Sequence, residues 1–575
     1  MTEEIKAPWL KDYGEVQFHL EYPQGSMSRV VLDTAATYPE YAALSFMGKI
    51  TKYRELARNI DLCAKALKAI GVKENDHVCI CLPNMPQAVY CLYGLNRIGA
   101  VATMIHPLSA EAEIAFYLKE VSADVVITLD QLFPKFARVM ENQPIRKLVI
   151  ASVADALGFV KKYGYKFTQG RKIPAVPEME AVLPWKAFLQ GGKDFSGSYL
   201  VERRAGDPAC ILFSGGTTGV TKGIVLSNLN FNALALQTQE MNHRGPIAGY
   251  RMLAAMPLFH GFGLGVCLHT MMVCGGCSIL VPRFTPKEYA ALMIKEKPNY
   301  IAGVPTLFEN ITRNHYLDGK KLDSLMGVFS GGDSLSKELK KKIDAFLQEH
   351  GAAVRVREGY GTTECVTASC LTPYHHEVEG SIGLPYPDTY YKICKVGTTE
   401  EVPYGEEGEI CLTGPTLMLG YLNHPEETAN TLRLHDDGHT WLHTGDLGVM
   451  DENGFIFFRQ RIKRMVITSG YNVYPSQLEN AIEKHPAVQL SCVIGVKDPV
   501  KIQKVKAFVV LKEGYEPNEN LIQSLREHCK KNIARYALPY DIEIRKSLPT
   551  TLVGKVAYRK LEEEEAKKQE SQTKE

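Results

Sequence analysis

Phe213-Ser-Gly-Gly-Thr-Thr-Gly-Val-Thr-Lys-Gly223 packs four glycines, four hydroxyl side chains and one lysine into eleven residues. Glycines let a backbone turn tightly and bring its N–H groups onto an anion. The hydroxyls of Ser214, Thr217, Thr218 and Thr221 add donors or metal ligands, and Lys222 adds a mobile positive charge. The apolar run 209–213 before it reads as a buried strand, so the stretch reads as a loop built to hold phosphate. It is not the Walker loop, in which Gly-Lys-Ser/Thr follows a four-residue spacer. Here Lys222 follows Thr221 and precedes Gly223. A flexible polar loop after a strand is the bland alternative, and the rest of the chain decides between the two.

Upstream, Leu56, Ile60, Cys63, Leu67 and Ile70 fall on one helical face, with Gly71 placed to end the helix. Residues 78–82 read as a buried strand stopped by Pro83, 85–98 as a helix and 101–105 as a strand, with further strands at 125–129 and 147–151. Strands alternating with helices imply parallel β-α-β units with right-handed crossovers. Residues 157–184 are basic and aromatic-rich and read as a solvated insertion, with peripheral membrane contact as the lesser reading. Alternation resumes over 209–347. After Gly383 short strands at 390–396, 408–413 and 455–459 suggest a small antiparallel sheet or barrel. Beyond Lys463 a compact α+β unit follows, with helices at 475–485 and 521–534 and strands near 491–496, 507–511 and 542–544. The expected fold is therefore α/β: a large N-terminal domain over 1–462 with a small β-barrel subdomain, a small mobile α+β domain over 463–561, and a charged tail over 562–575, frayed or disordered.

The 575 residues suffice for two or more domains. With a formal net charge of +1, nothing global points to nucleic acid or an anionic membrane as the main partner. Residues 1–6 are polar and carry no signal-peptide pattern. Fourteen scattered cysteines fit a reducing cytoplasm. The apolar stretch 263–281 has the length of a membrane span, but four glycines and His269 lie inside it, so a core helix followed by a buried strand is expected. Cys274 and Cys277 read as small core residues rather than a metal half-site, and 374–377 as a surface loop.

Five more segments carry chemistry. Pro257-Leu-Phe-His260-Gly-Phe-Gly263 sets a histidine among aromatics and glycines. Ser330-Gly331-Gly332-Asp333 is a second tight turn after an apolar strand. Tyr360-Gly361-Thr-Thr363-Glu364 offers an aromatic face, hydroxyls and a carboxylate able to bind Mg²⁺. His443-Thr-Gly-Asp446 places an acid on a turn, and Pro549-Thr-Thr-Leu-Val-Gly-Lys555 presents a lysine on a glycine-flanked loop. Each has a bland reading as a turn. Their joint order does not, once the segment from Arg461 to Pro475 is added.

In that order the chain resembles the adenylate-forming superfamily of acyl-CoA synthetases, firefly luciferase and peptide-synthetase adenylation domains, over roughly residues 38–561. Within it the chain is most similar to bacterial long-chain fatty acyl-CoA synthetases. The resemblance implies ATP-dependent activation of a carboxylic acid, a long-chain fatty acid, through acyl-AMP to acyl-CoA, with Mg²⁺ as cofactor and ATP and CoA as co-substrates. By resemblance, Ser214, Gly215, Gly216, Thr217, Thr218, Gly219 and Lys222 hold phosphates. Ser214 and Glu364 hold Mg²⁺, and Thr363 contacts the α-phosphate. Gly331, Gly332, Asp333, Tyr360 and Gly361 surround adenine, while Asp446 and Arg461 hold ribose. Lys555 bridges the substrate carboxylate and α-phosphate, and His260 joins the catalytic set. Lys463 is the hinge, and Ser469, Gly470 and Tyr471 face CoA. Gly215, Thr221, Gln460, Gln477 and Tyr558 depart from the common pattern. Gly261, Gly263 and Gly265 are expected to leave room for an alkyl tunnel. A medium-chain, aryl or bile acid, or a carrier-protein acceptor, stays open, with a non-catalytic nucleotide sensor as the remaining rival. The expected location is cytoplasmic, with peripheral contact at the inner face of the membrane and a homodimer as further readings.

Overall fold

The computed structural model describes residues 5–168, 170–213, 221–243, 245–283, 285–468, 471–498, 502–551 and 554–574, without the side chains of Lys166, Tyr471, Asn472 and 570–574. Two mixed sheets, largely parallel, build the large domain. Val101–Met104, His77–Cys81, Val125–Leu129 and Lys147–Ala151 lie side by side and parallel in an eight-stranded sheet. Their side chains are buried on both faces, as strands covered by helices must be. The helix Tyr53–Ala69 supplies part of that cover: Leu56, Ile60, Cys63 and Leu67 are buried, and Gly71 follows with φ +84°.

The second sheet has nine strands. Val356–Tyr360, Gly327–Gly331, Tyr300–Gly303, Arg251–Ala254, Cys277–Leu280 and Ala42–Phe46 run parallel in that spatial order. Gly331 and Tyr360 end two neighbouring strands, so both motifs open at the carboxyl edge, where open α/β sheets bind ligands. The stretch expected as a core helix is a π-helix, Phe262–Thr270, leading through Met271–Val273 to the strand Cys277–Leu280. Wide turns of this kind are rare and concentrate at functional sites.

The antiparallel sheet is built around an eleven-residue strand that the short-strand reading missed, Thr440–Met450. Glu407–Thr413 pairs with it, and Leu432–Leu434 and Ile456–Arg461 pair with it as well. Asp446 therefore sits within a strand rather than on a turn between elements. The local bend comes from Gly445, at φ +71°.

The small domain has its own core of Val466, Ile482, Val493, Val505 and Leu525, while the large core ends near Ile456. Val488–Asp498 and Ile502–Leu511 form its antiparallel spine, and Asp541–Arg545 joins in parallel. The charged tail is a helix, Tyr558–Lys574. Leu561 and Glu565 on it are buried; Lys506 Nζ lies 3.0 Å from Glu565, and Arg545 pairs with Glu564 at 2.7 Å. The basic insertion is also built in: it forms the helix Phe159–Phe167 and the strand Val182–Pro184, which extends the eight-stranded sheet beside Lys147–Ala151. No helix among the described residues is long and apolar enough to cross a membrane.

Candidate active site

The strands Pro208–Phe213 and Gly223–Ser227 are antiparallel neighbours, with Phe213 opposite Gly223. The two strands that flank the glycine-rich stretch in sequence are thus direct partners in the sheet. Ser214, Gly215, Gly216, Thr217, Thr218 and Gly219 lie outside the described residues. Ser469 and Gly470 do too, and of Tyr471 only the backbone is described. Lys222 directly precedes the strand Gly223–Ser227. Its Nζ lies 4.9 Å from the ring centre of Tyr421 and 3.6 Å from Glu427. The Tyr421 hydroxyl donates to Glu364 Oε1 at 2.8 Å. Tyr421 therefore links Lys222 to Glu364, the carboxylate that follows Thr363. Burial and the Glu364 charge push its phenol far up, so it stays a donor. Tyr421 stands on a two-residue strand, Gly420–Tyr421, paired with Gly223–Ser227. Sequence reading missed it because two residues carry no periodicity.

Asp446 and Arg461 face each other across the antiparallel pair Thr440–Met450 and Ile456–Arg461. The Tyr360 hydroxyl donates to Asp446 Oδ2 at 2.7 Å. Asp446 Oδ1 is buried and accepts no hydrogen bond among the described residues, with Arg461 Nε 3.4 Å away. Burial holds this carboxyl above its usual range, although the Arg461 charge opposes the shift. A buried, unmatched acceptor beside a tyrosine and an arginine suits a ligand hydroxyl. Behind it, Glu409 fixes the strand bend: its Oε1 accepts the Gly445 N–H at 2.9 Å, and its Oε2 lies 2.8 Å from His443 Nδ1.

Lys555 comes from the small domain and reaches the large one. A Cβ on Gly332 would lie 3.3 Å from Lys555 Cε, and Thr306 Oγ1 donates to the Gly554 carbonyl at 2.9 Å. Burial holds the Lys555 ammonium below the ordinary lysine range; Asp333 and Asp446 pull it back up and Arg461 pushes it further down. Burial and the Lys555 charge push the His260 imidazole down to about 3, so it is neutral near neutral pH. Its Nδ1 accepts the Phe262 N–H at 3.2 Å. Lys463 lies exposed in the short turn Ile462–Arg464, between the two cores.

Thr363 opens the turn Thr363–Cys365, and the next residue, Val366, has φ +66°. The Thr367 N–H reaches the Cys365 carbonyl at 2.8 Å, which makes Val366 the centre of a strained γ-turn. For a β-branched residue that backbone is a true outlier, and such strain gathers at functional sites. Glycines grip this turn. A Cβ on Gly361 would lie 2.0 Å from the Thr367 carbonyl oxygen, and one on Gly261 would lie 1.7 Å from that of Val366. This corrects the expected tunnel. Gly261 packs on Val366, Gly263 on the carbonyls of Met256 and Pro257, and Gly265 on Leu234, so these glycines serve close packing rather than space.

Tyr558, which departs from the common pattern, lies under Arg464 with the guanidinium 4.9 Å from its ring centre. Arg464 is also paired with Glu479, so an arginine at 558 would set two cations together. Gln460, another departure, is buried with neither amide atom hydrogen-bonded among the described residues.

A two-sheet α/β domain whose strand-end motifs meet a lysine from a smaller C-terminal domain defines an adenylate-forming class of enzyme. The AMP-binding enzyme family matches residues 31–422 and its C-terminal domain matches 477–555, so the chain belongs to the AMP-binding enzymes. A long-chain-fatty-acid–CoA ligase of Bacillus subtilis (strain 168) is 34% identical over 568 residues, covering 97% of this chain and 98% of its own. One of Salmonella typhimurium (strain LT2) is 31% identical, with the same two coverages. Among solved structures, ATP-bound MatB from Rhodopseudomonas palustris shares the fold, with a TM-score of 0.80, 24% identity, and coverage of 94% of this chain and 99% of that one.

Proposed function

We propose that the chain is an acid–thiol ligase that converts a long-chain fatty acid, ATP and CoA into acyl-CoA, AMP and pyrophosphate. A carboxylate oxygen attacks the α-phosphorus and pyrophosphate leaves. The CoA sulfur then attacks the acyl carbon, AMP leaves with the bonding electrons, and the thiol proton passes to solvent. One observation carries the reading: Lys555 crosses from the small domain to Gly332, within the electrostatic reach of Asp333, Asp446 and Arg461. Such a transfer depends on positioning and on neutralising charge at the oxygens.

Lys222, with residues 214–219, holds the β- and γ-phosphates. Thr363 contacts the α-phosphate. Tyr360, Gly331, Gly332, Asp333 and Gly361 frame adenine, and Asp446 and Arg461 take the ribose hydroxyls. Lys555 bridges the acid and the α-phosphate, and neutral His260 lines the acyl side. Glu364 and Ser214 are the Mg²⁺ ligands of this reading, Glu364 offering a hard carboxylate suited to the ion. Bound there, the ion would neutralise phosphate charge. The chain divides at 462/463, and Lys463 is the hinge on which the small domain turns to bring Ser469, Gly470 and Tyr471 to CoA. The B. subtilis and S. typhimurium relatives support the long-chain class.

The test is pyrophosphate release with Mg²⁺ and ATP across fatty acids from butyrate to stearate, benzoate and cholate, with and without CoA. Release that peaks with the long chains and turns over only with CoA is expected. Release that peaks with an aryl or bile acid overturns the substrate class. AMP binding without release for any acid overturns the ligase.

A further inference from the structure

Glu409 and Cys411 stand two residues apart on the strand Glu407–Thr413, so their side chains share one face. The neighbouring strands bring two more side chains to that face. His443 lies directly opposite Cys411, and Cys394 directly opposite Glu409. His443 Nδ1 is 2.8 Å from Glu409 Oε2 and 3.5 Å from Cys411 Sγ, and the Cys411 thiol donates to the Cys394 sulfur. All four residues are buried. Among the described residues, no other trio of His, Cys, Asp or Glu sets its ligand atoms within 4.8 Å of one another.

The reaction uses neither sulfur, and a proton on His443 Nδ1 would by itself satisfy Glu409 Oε2. The spacing carries more than that. A tetrahedral Zn²⁺ about 2.3 Å from a sulfur and about 2.0 Å from a nitrogen holds the two atoms about 3.5 Å apart, as Cys411 and His443 stand. The Glu409 and His443 atoms would open by about half an ångström from their hydrogen-bonded spacing. An outer layer is in place. His443 Nε2 faces His435 Nε2 at 2.9 Å, and His435 is buried with its Nδ1 unpaired among the described residues. A histidine bound to metal through Nδ1 keeps its proton on Nε2 and donates it outward, and His435 is placed to accept it. Trp441 packs against both cysteines, and Lys392 lies within electrostatic reach of both thiols. We infer that Glu409, Cys411, His443 and Cys394 form a binding site for Zn²⁺. On binding, the two thiols give their protons to solvent, while His443 and His435 keep one each. The other Glu409 oxygen holds the Gly445 N–H at 2.9 Å, so the ion would brace the bend beside Asp446. Sulfur ligands select against Mg²⁺, which keeps this site distinct from the one at Glu364. The inference stands whether or not the acid is a fatty acid.

The test is titration of the full, reduced, metal-free chain with Zn²⁺ in competition with a chromophoric chelator, and with Co²⁺ followed by visible absorption, which reports sulfur ligation and tetrahedral geometry. A single tightly held ion per chain is expected, with Co²⁺ bands of a tetrahedral sulfur site that Zn²⁺ abolishes and the same concentration of Mg²⁺ does not. Loss of an outer-shell partner alone costs about 10–100-fold in metal affinity, so Cys411→Ser, which removes a ligand, should weaken Zn²⁺ binding at least about 100-fold. His435→Gln leaves all four ligands in place and should weaken binding about 10–100-fold while the Co²⁺ bands keep their shape. Cys394→Ser should reduce the sulfur band without abolishing it. Thermal unfolding of the metal-free variants checks that they fold; if Cys411→Ser does not, the Co²⁺ spectrum of the unchanged chain decides. An unchanged chain that shows no sulfur-ligated Co²⁺ overturns the inference, as does Zn²⁺ binding by folded Cys411→Ser and Cys394→Ser equal to that of the unchanged chain, which would put the ion elsewhere.

Discussion

Tyr421→Phe removes one oxygen and nothing else. The hydroxyl lost is the donor to Glu364 Oε1, 2.8 Å away, while the ring that faces Lys222 Nζ at 4.9 Å stays. A hydrogen bond to a charged acceptor is worth about 1.5–3 kcal/mol. Glu364 is half-buried and its freed oxygen can take up water, so the lower figure applies, about 1.5 kcal/mol or roughly tenfold. If Tyr421 aims Glu364 at Mg²⁺, the loss falls on metal affinity. The Mg²⁺ concentration at half-maximal ATP–pyrophosphate exchange should rise about tenfold, with the saturated rate changed much less. Tyr421→Leu also deletes the ring under Lys222, worth about 0.5–1 kcal/mol, and should add a roughly threefold rise in the KM for ATP. Because the phenol is held protonated, neither effect should vary between pH 6 and 9, about the working range of such assays. An unchanged Mg²⁺ dependence in Tyr421→Phe would refute the proposal that Tyr421 aims Glu364 at a metal ion.

Other outcomes follow from the same geometry. Gly261 has ordinary helical backbone angles, φ −52° and ψ −37°, so its need is space alone. Gly261→Ala drives a Cβ into the Val366 carbonyl and should cost about 1–3 kcal/mol in urea unfolding, with a larger loss of activity as the strained turn moves Glu364. Glu409→Ala frees the Gly445 N–H and His443, so the KM for ATP should rise about tenfold through a loosened Asp446, from roughly 1–3 kcal/mol of unmatched buried groups. Burial pushes the Glu358 carboxyl up to about 7, with Glu377 adding and Lys340 opposing. The folded chain then binds more protons than the unfolded one between about pH 4.5 and pH 7, so this group stabilises fully at low pH and that stability is lost as pH rises through the folded value. Glu358→Gln should flatten the fall in urea midpoint between about pH 5 and pH 8, a change on the order of 2–3 kcal/mol.

The α/β alternation was legible because its strands are apolar on both faces and its helices carry one apolar stripe. Residues 125–129 and 147–151 were bounded as the structure has them. The long strand Thr440–Met450 was hidden by the Thr444-Gly445 bend, where polar residues interrupt the alternation. The tail read as frayed because its charges have partners, Lys506 and Arg545, that lie far away in sequence. Asp446, Arg461 and Tyr360 were named from motif order, and the structure brings them into contact. Tyr421 was not, since its role arises from a cross-strand position beside Gly223–Ser227. The glycines of 261–265 were found but misread: glycine alone does not tell open space from close packing, and the neighbours Val366, Met256 and Leu234 decide it.

The central claim is that Lys555, delivered by the small domain, serves the first half-reaction. The most direct measurement compares Lys555→Ala with the unchanged chain in two assays: acyl-AMP formation from acid and ATP, and acyl-CoA formation from preformed acyl-AMP and CoA. Loss of a charge donor buried at the transferring phosphoryl group should lower the first rate by about 10²–10³, or about 2.7–4 kcal/mol. The second rate should stay within about threefold, since in the proposed second step the small domain has turned on Lys463 and carried Lys555 away from the AMP phosphate. Equal losses in both assays, or none in the first, would contradict the account.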